Sequence, residues 1–251
     1  PLISIYDANT VRIDFPNRET RFMAPNSHFW FGTDSLGCDY WCQVWSATRT
    51  SIILSVSVSI GQIFVGVIIG LLWGYVRKLD RFFTELYNFI DNIPTIIYMT
   101  LIALMVGKSV LIMGITMVAF YWLGTARNVR NLVFMYRDRE YNLASRCLGT
   151  SSFKIITKNI LPQLVSVIML QTALAIPGAI GSEVFLTYIG LGLPIEIPSL
   201  GNLVDEGRKV MLVEAQRYQL LFPMLMTSAI TVSFYALGNA FADASDPRNH
   251  R

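Results

Sequence analysis

The chain has 251 residues, of which 53% are hydrophobic and only 15% charged, with a formal net charge of +3. Soluble domains carry roughly a quarter charged residues, so this balance, together with a positive mean hydropathy, excludes an ordinary soluble protein. The small net charge gives nucleic-acid binding no support, because the basic residues are accounted for by membrane topology.

Residues 1–49 precede the first long apolar run and carry Asp7, Asp14, Glu19, Asp34 and Asp39 against Arg12, Arg18, Arg21 and Arg49. Nothing in them resembles a signal peptide. Five apolar stretches follow, each near the length of about 20 residues that a helix needs to cross the hydrocarbon core. Residues 50–76, 109–126, 161–182 and 218–242 are uncharged, and residues 82–106 qualify with Glu85 and Asp91 inside. The expectation is an all-α integral membrane protein with five visible transmembrane helices.

Short loops rich in Lys and Arg stay in the cytoplasm. Arg77, Lys78 and Arg81 mark the turn after the first span, and Arg127, Arg130, Arg137, Arg139, Arg146, Lys154 and Lys158 mark the loop after the third. Parity then puts residues 107–108 and 187–217 outside and returns the tail, residues 243–251, to the cytoplasm. It also leaves residues 1–49 outside, which predicts one more apolar helix before Pro1 and six spans in the full protein. The membrane domain is residues 50–242, with a cytoplasmic loop at 127–161 and an outer loop at 187–217.

That cytoplasmic loop holds a short amphipathic helix, residues 140–148, stopped by Gly149. Leu143, Ala144, Cys147, Leu148 and Phe153 give it an apolar patch, and small residues at Ala144, Ser145 and Gly149 let another surface approach closely. Gly149 is suited to the positive φ of a helix end, Ser151 to capping a helix that runs into the fourth span, and Pro162 to its membrane entry. Such a knob, joined to a span, would move that span when pushed. The alternative is an interfacial helix lying among lipid headgroups.

Polar residues inside spans are costly and tend to face a cavity or a partner. Glu85, Asn88 and Asn92 share one helical stripe, with Asp91 beside them and Pro94 just beyond; Glu183 lies in the outer half of the fourth span. Both a hydrated path and helix–helix contacts fit Asn88, Asp91, Asn92 and Glu183. The Gly- and Pro-rich segment 190–198, followed by Gly201, cannot continue a helix and predicts a re-entrant or surface lid, or a plain surface loop.

Catalytic and metal chemistry find no residues. His28 and His250 with Cys38, Cys42 and Cys147 form no metal constellation, and the three thiols are expected to be free and buried. Gly107-Lys108-Ser109 imitates the end of a phosphate-binding loop, but Ile102 stands where that loop needs Gly. The chain is therefore expected to be no enzyme, and any ATP would be used by a partner.

Residues 140–162, ending Leu161-Pro162 with Gly149 in register, resemble the cytoplasmic signature of binding-protein-dependent ABC importer permeases. Four further segments resemble the oligopeptide/dipeptide permeases, and specifically the second, C-type, permease of the pair. They are Phe31-Gly-Thr-Asp-Ser-Leu-Gly37, Glu183-Val-Phe-Leu-Thr-Tyr-Ile-Gly-Leu-Gly192, Pro198-Ser-Leu-Gly201 and Asp243-Ala-Ser-Asp-Pro-Arg248. The resemblance implies the type I ABC importer permease architecture and a heterodimer with a homologous second permease. It also implies two ABC ATPase subunits that bind ATP and Mg, an extracellular lipoprotein or periplasmic binding protein, and a peptide substrate. ATPase coupling would fall on Arg139, Glu140, Leu143, Ala144, Ser145, Leu148, Gly149 and Phe153, and binding-protein contact on Leu193, Pro194, Glu196 and Pro198. The chain departs from the pattern where Leu143 and Ser145 replace the Glu and second Ala of the signature, leaving Glu140 as the nearest acid. A nickel or other small-solute importer shares the architecture. A proton-coupled secondary transporter using Asp91 or Glu183 is the reading of another class.

Overall fold

The protein is described here by a computed structural model covering residues 21–244. The charges expected at Asp7, Arg12, Asp14, Arg18 and Glu19, and the tail residues from Ser245 on, lie outside the described residues. Among the described residues the fold is helical, with one isolated bridge between Thr33 and Asp39.

Helix α1, Tyr40–Tyr75, is 36 residues long. At 1.5 Å per residue it extends about 54 Å, well beyond the roughly 30 Å hydrocarbon core. It starts ahead of the uncharged run because Asp39 caps it, accepting the Trp41 amide at 3.0 Å. The second apolar stretch is not one straight span. It forms α2, Arg77–Asp91, and α3, Thr95–Val106, bent by 72° across the break. Pro94 has no amide hydrogen and disfavours helical geometry in the residue before it. The Asn92 amide and side chain both turn back to the Asn88 carbonyl, closing α2.

Helix α4, Val110–Arg137, continues past Ala126 through Arg127, Arg130 and Arg137, which were expected in a loop. Their guanidiniums lie on aromatic faces: Arg127 over Tyr87 at 4.5 Å and Arg130 over Phe134 at 4.2 Å. Cation–π contacts of this kind let charged side chains pack along a helix while their stems cover apolar surface. Helix α5, Glu140–Cys147, follows after two residues. Then α6, Ser152–Ile155, a π turn at Ile156–Ile160 and α7, Leu161–Tyr188, run on as one helix. Helix α8, Leu200–Val210, and α9, Tyr218–Ala244, complete the described residues. Four helical stretches are long and apolar enough to cross a membrane, and the bent α2–α3 pair makes a fifth.

The chain divides into two units. One comprises the residues up to Val56, Ile102–Met113 and Pro177–Ser233. In it, Phe31 stacks on Phe222 at 3.8 Å between ring centroids, the Tyr218 hydroxyl donates to the Thr33 carbonyl at 2.6 Å, and the Tyr40 hydroxyl to that of Gln219 at 2.6 Å. Asp34 holds the loop before α1, accepting the Leu36 and Cys38 amides and the Gln43 side chain. Lys108 donates to the Gly190 carbonyl, joining two segments that charge parity assigns to the same outer side.

The other unit comprises Ser57–Leu101, Gly114–Ile176 and the residues from Phe234 on. Its core gathers Leu71, Tyr75, Val129, Val133, Ile155, Ile156, Ile160 and Leu164. Here α1 meets α4 at Gly66, Gly70 and Gly74, four residues apart on one face. A Cβ on Gly70 would lie 2.6 Å from the Ala126 carbonyl oxygen, and one on Gly74 2.7 Å from Val133. Small residues at this spacing bring membrane helices into backbone contact, where dispersion replaces the hydrophobic effect that lipid removes.

Candidate functional site

Helix α5 begins at Arg139, whose extended backbone turns the chain out of α4, and ends at Leu148. Gly149 takes φ +77° and donates to the Arg146 carbonyl, while the Thr150 amide reaches back to Ser145. That pair of bonds is the Schellman closure that the sequence predicts for Gly149. Ser151 has the extended backbone of a cap, but its hydroxyl makes no capping bond. The junction to α7 is instead a π turn in which the Leu161 amide bonds the Ile156 carbonyl. Pro162 explains it: with no amide hydrogen for the Lys158 carbonyl, and a ring that crowds that carbonyl, it favours a wider turn.

The two faces of α5 are unlike. On the inner face Asn142 is fully buried; its Nδ2 donates to the Tyr136 carbonyl at 2.8 Å and its Oδ1 accepts from Asn159 at 2.9 Å. Arg146 donates to the Arg137 carbonyl at 3.1 Å and lies 5.1 Å from the Tyr75 ring. These bonds fasten α5 to α4, to α1 and to the π turn. On the outer face Leu148 is 86% exposed and Phe153 75%, with Leu143 and Tyr141 about half exposed. Arg139, Glu140, Ala144 and Gly149 are also exposed, and Ser145 is half-buried with its hydroxyl on the Tyr141 carbonyl. Cys147 is exposed, not buried as expected, because it follows the outer face instead of the Asn142 face. Of the anchoring residues, the sequence marks Arg146 only as a loop charge and gives Asn142 and Asn159 no role. A polar side chain one position from an apolar patch was the available signal.

The polar residues of the spans fall in separate places. Asn88, Asp91 and Asn92 are all exposed and gather at the α2–α3 break. Glu183 belongs to the other unit, where it is fully buried. Its carboxylate accepts from the Ser51 hydroxyl at 2.7 Å and from the Gly201 amide at 3.2 Å, at the first turn of α8. Ser51 in turn accepts the Leu200 amide at 3.0 Å.

In the outer loop, α8 starts at Ser199, whose hydroxyl accepts the Asn202 amide. Asn202 ties the loop down through the Pro194 and Ile197 carbonyls, at 2.8 and 2.9 Å. Pro194 and Pro198 are half-buried and Glu196 is exposed, but Leu193 is 4% exposed and packs inward. Ile195 faces outward instead, at 75% exposure.

No group of three or more metal-ligating side chains occurs among the described residues. Helix α5 thus presents an apolar face outward while polar contacts hold its other face to α4, to the end of α1 and to the π turn.

The family model described as "Binding-protein-dependent transport system inner membrane component" matches residues 62–251. The oligopeptide transport system permease protein AmiD of Streptococcus pneumoniae is 39% identical over all of this chain and 80% of its own length. The dipeptide transport system permease protein DppC of Bacillus subtilis is 31% identical over 91% of this chain and 72% of its own. The oligopeptide transport system permease protein OppC of Bacillus subtilis is 29% identical over 99% and 79%. The chain is a multi-pass membrane permease and belongs to the family of inner membrane components of binding-protein-dependent transport systems.

Proposed function

We propose that the chain is one permease subunit of an ATP-driven peptide importer, in which α5 is the segment that docks on an ATPase subunit. The observation that carries this reading is the contrast between the two faces of α5: a polar network fixes one, while Leu143, Ala144, Leu148 and Phe153 present apolar surface from the other. Apolar surface on a basic cytoplasmic loop is stable when a partner covers it. The partners are a homologous second permease, two ATPases that hold ATP and Mg, and a binding protein outside. The chain itself holds no nucleotide site and is not an enzyme. The cargo named for the relatives, oligopeptides and dipeptides, supports peptide import over a nickel or other small-solute importer and over a proton-coupled carrier.

Asn88, Asp91 and Asn92, exposed at the break in the second span, line the path, and Glu183, buried among its own partners, has a bracing role. Pro194, Glu196 and Pro198, with Ile195 replacing the buried Leu193, meet the binding protein.

The test uses the assembled transporter in proteoliposomes. Ala144→Glu and Leu148→Glu place a charge on exposed positions without filling any core. Each is expected to release the ATPase on purification and to lower stimulated hydrolysis and peptide uptake by about tenfold or more, the cost of burying an unpaired charge at an interface. Wild-type uptake with the ATPase retained would overturn the docking assignment.

A further inference from the structure

Several of the basic residues that set the topology do more than stay in the cytoplasm. Arg130 Nε and Nη2 both lie 2.6 Å from Asp80 Oδ1, in the first turn of α2. Trp73 Nε1, near the end of α1, donates to the same oxygen at 3.1 Å. The Arg130 guanidinium lies 5.3 Å from the Trp73 ring centroid and 4.2 Å from that of Phe134. Arg137 lies against Phe134 as well, at 4.3 Å, and donates to the Gly74 carbonyl at 2.8 Å. Arg146 on α5 then donates to the Arg137 carbonyl at 3.1 Å. The result is an unbroken chain of contacts from α5 to α2: Arg146, Arg137, Phe134, Arg130, Asp80.

Its middle members are sheltered, with 19% side-chain exposure at Arg130 and 15% at Arg137. A solvated pair would be screened and weak, but a guanidinium stacked on aromatic faces and bonded to a carboxylate holds a fixed orientation that a lysine could not reproduce. Arg130–Asp80 is also where the chain of contacts crosses to α2, and α2 ends at the 72° break that carries Asp91 and Asn92.

We propose that Arg130 and Asp80 are positioning residues of the transport cycle, forming the joint through which displacement of the coupling helix turns α2 about its break. This inference rests on the docking of α5 proposed above. The joint predicts that hydrolysis and transport separate when it is loosened, since α5 stays docked while its movement no longer reaches α2.

The complete transporter in proteoliposomes, supplied with peptide-loaded binding protein, is the system to use. Asp80→Asn removes the charge and Arg130→Lys removes the stacking plane while keeping the charge. Each is expected to lower peptide imported per ATP hydrolysed by about fivefold, with stimulated hydrolysis within about a factor of two of wild type, a loss of the size seen for residues that modulate coupling between sites. The double variant should be no worse than the more affected single one, as for two residues acting as a unit. An unchanged import ratio in both single variants would overturn the joint. So would release of the ATPase from either variant, which would assign the pair to holding up the docking surface. Failure of the docking reading looks different: Leu148→Glu would keep its ATPase.

Discussion

Glu183 is a carboxylate with no exposed surface in a membrane-spanning helix, a placement that costs free energy unless every oxygen is used. Its partners show how the cost is met. Ser51 on α1 and the Gly201 amide on α8 converge on it, and Gly201 has no side chain because a Cβ there would sit 2.7 Å from Glu183 Oε1 and from Thr187 Oγ1. Glu183→Ala would strand the amide and the hydroxyl, at about 1–3 kcal/mol for each stranded donor. It should lower the thermal midpoint of the detergent-solubilised complex, with Glu183→Gln intermediate because one acceptor and most of the volume remain. An unchanged midpoint for the alanine variant would show that the clasp contributes no stability. The sequence made Glu183 conspicuous, since a lone acid in an apolar run is visible by inspection. It did not distinguish a path-lining acid from a clasp, because the partners lie 132 and 18 residues away in the chain.

At the scale of elements, hydropathy located the apolar helices among the described residues, and the departures from it trace to particular residues. The uncharged run ends at Ala126 but α4 does not, because Arg127, Arg130 and Arg137 find aromatic faces to lie on. The second span breaks because Pro94 and the Asn92 side chain compete with the helical ladder. Proline was legible in both cases, but its consequence differed: Pro94 ends a helix, whereas Pro162 only widens a turn, since α6 and the π turn pack into the core through Ile155, Ile156 and Ile160. The π turn sets the angle at which Phe153 leaves the membrane helix. Pro162→Ala supplies an amide for the Lys158 carbonyl and should convert the turn to α-helix, rotating the segment before it by up to about 100° per residue absorbed. The expected result is severalfold lower stimulated ATP hydrolysis at normal membrane insertion. Wild-type hydrolysis in this variant would show that the turn does not aim the knob.

For the whole molecule, native cysteines report the topology without engineering. Cys147 is exposed on α5, while Cys38 and Cys42 are buried. Burial, with Asp34 beside it, pushes the Cys38 thiol up to about 11. Since the thiolate is the nucleophile, on the order of a thousandth of such a thiol is reactive at pH 8, and its alkylation should rise with pH toward that value. A membrane-impermeant maleimide is therefore expected to modify Cys147 in inside-out vesicles stripped of ATPase and to spare Cys38 and Cys42 until denaturation. Adding back the ATPase subunits should slow Cys147 labelling. Labelling of Cys147 from the outside would reverse the topology. By itself the sequence determined the class, the apolar stretches and the position and glycine closure of α5, because these depend on hydropathy and local glycine and proline chemistry, all carried by neighbouring residues. The tertiary structure alone decided that α5 is anchored through Asn142, Arg146 and Asn159, that Gly66, Gly70 and Gly74 bring α1 onto α4, and that Arg130 meets Asp80. Each of these depends on side chains from different helices meeting at bonding distance, and no local property of the chain encodes which pairs will meet.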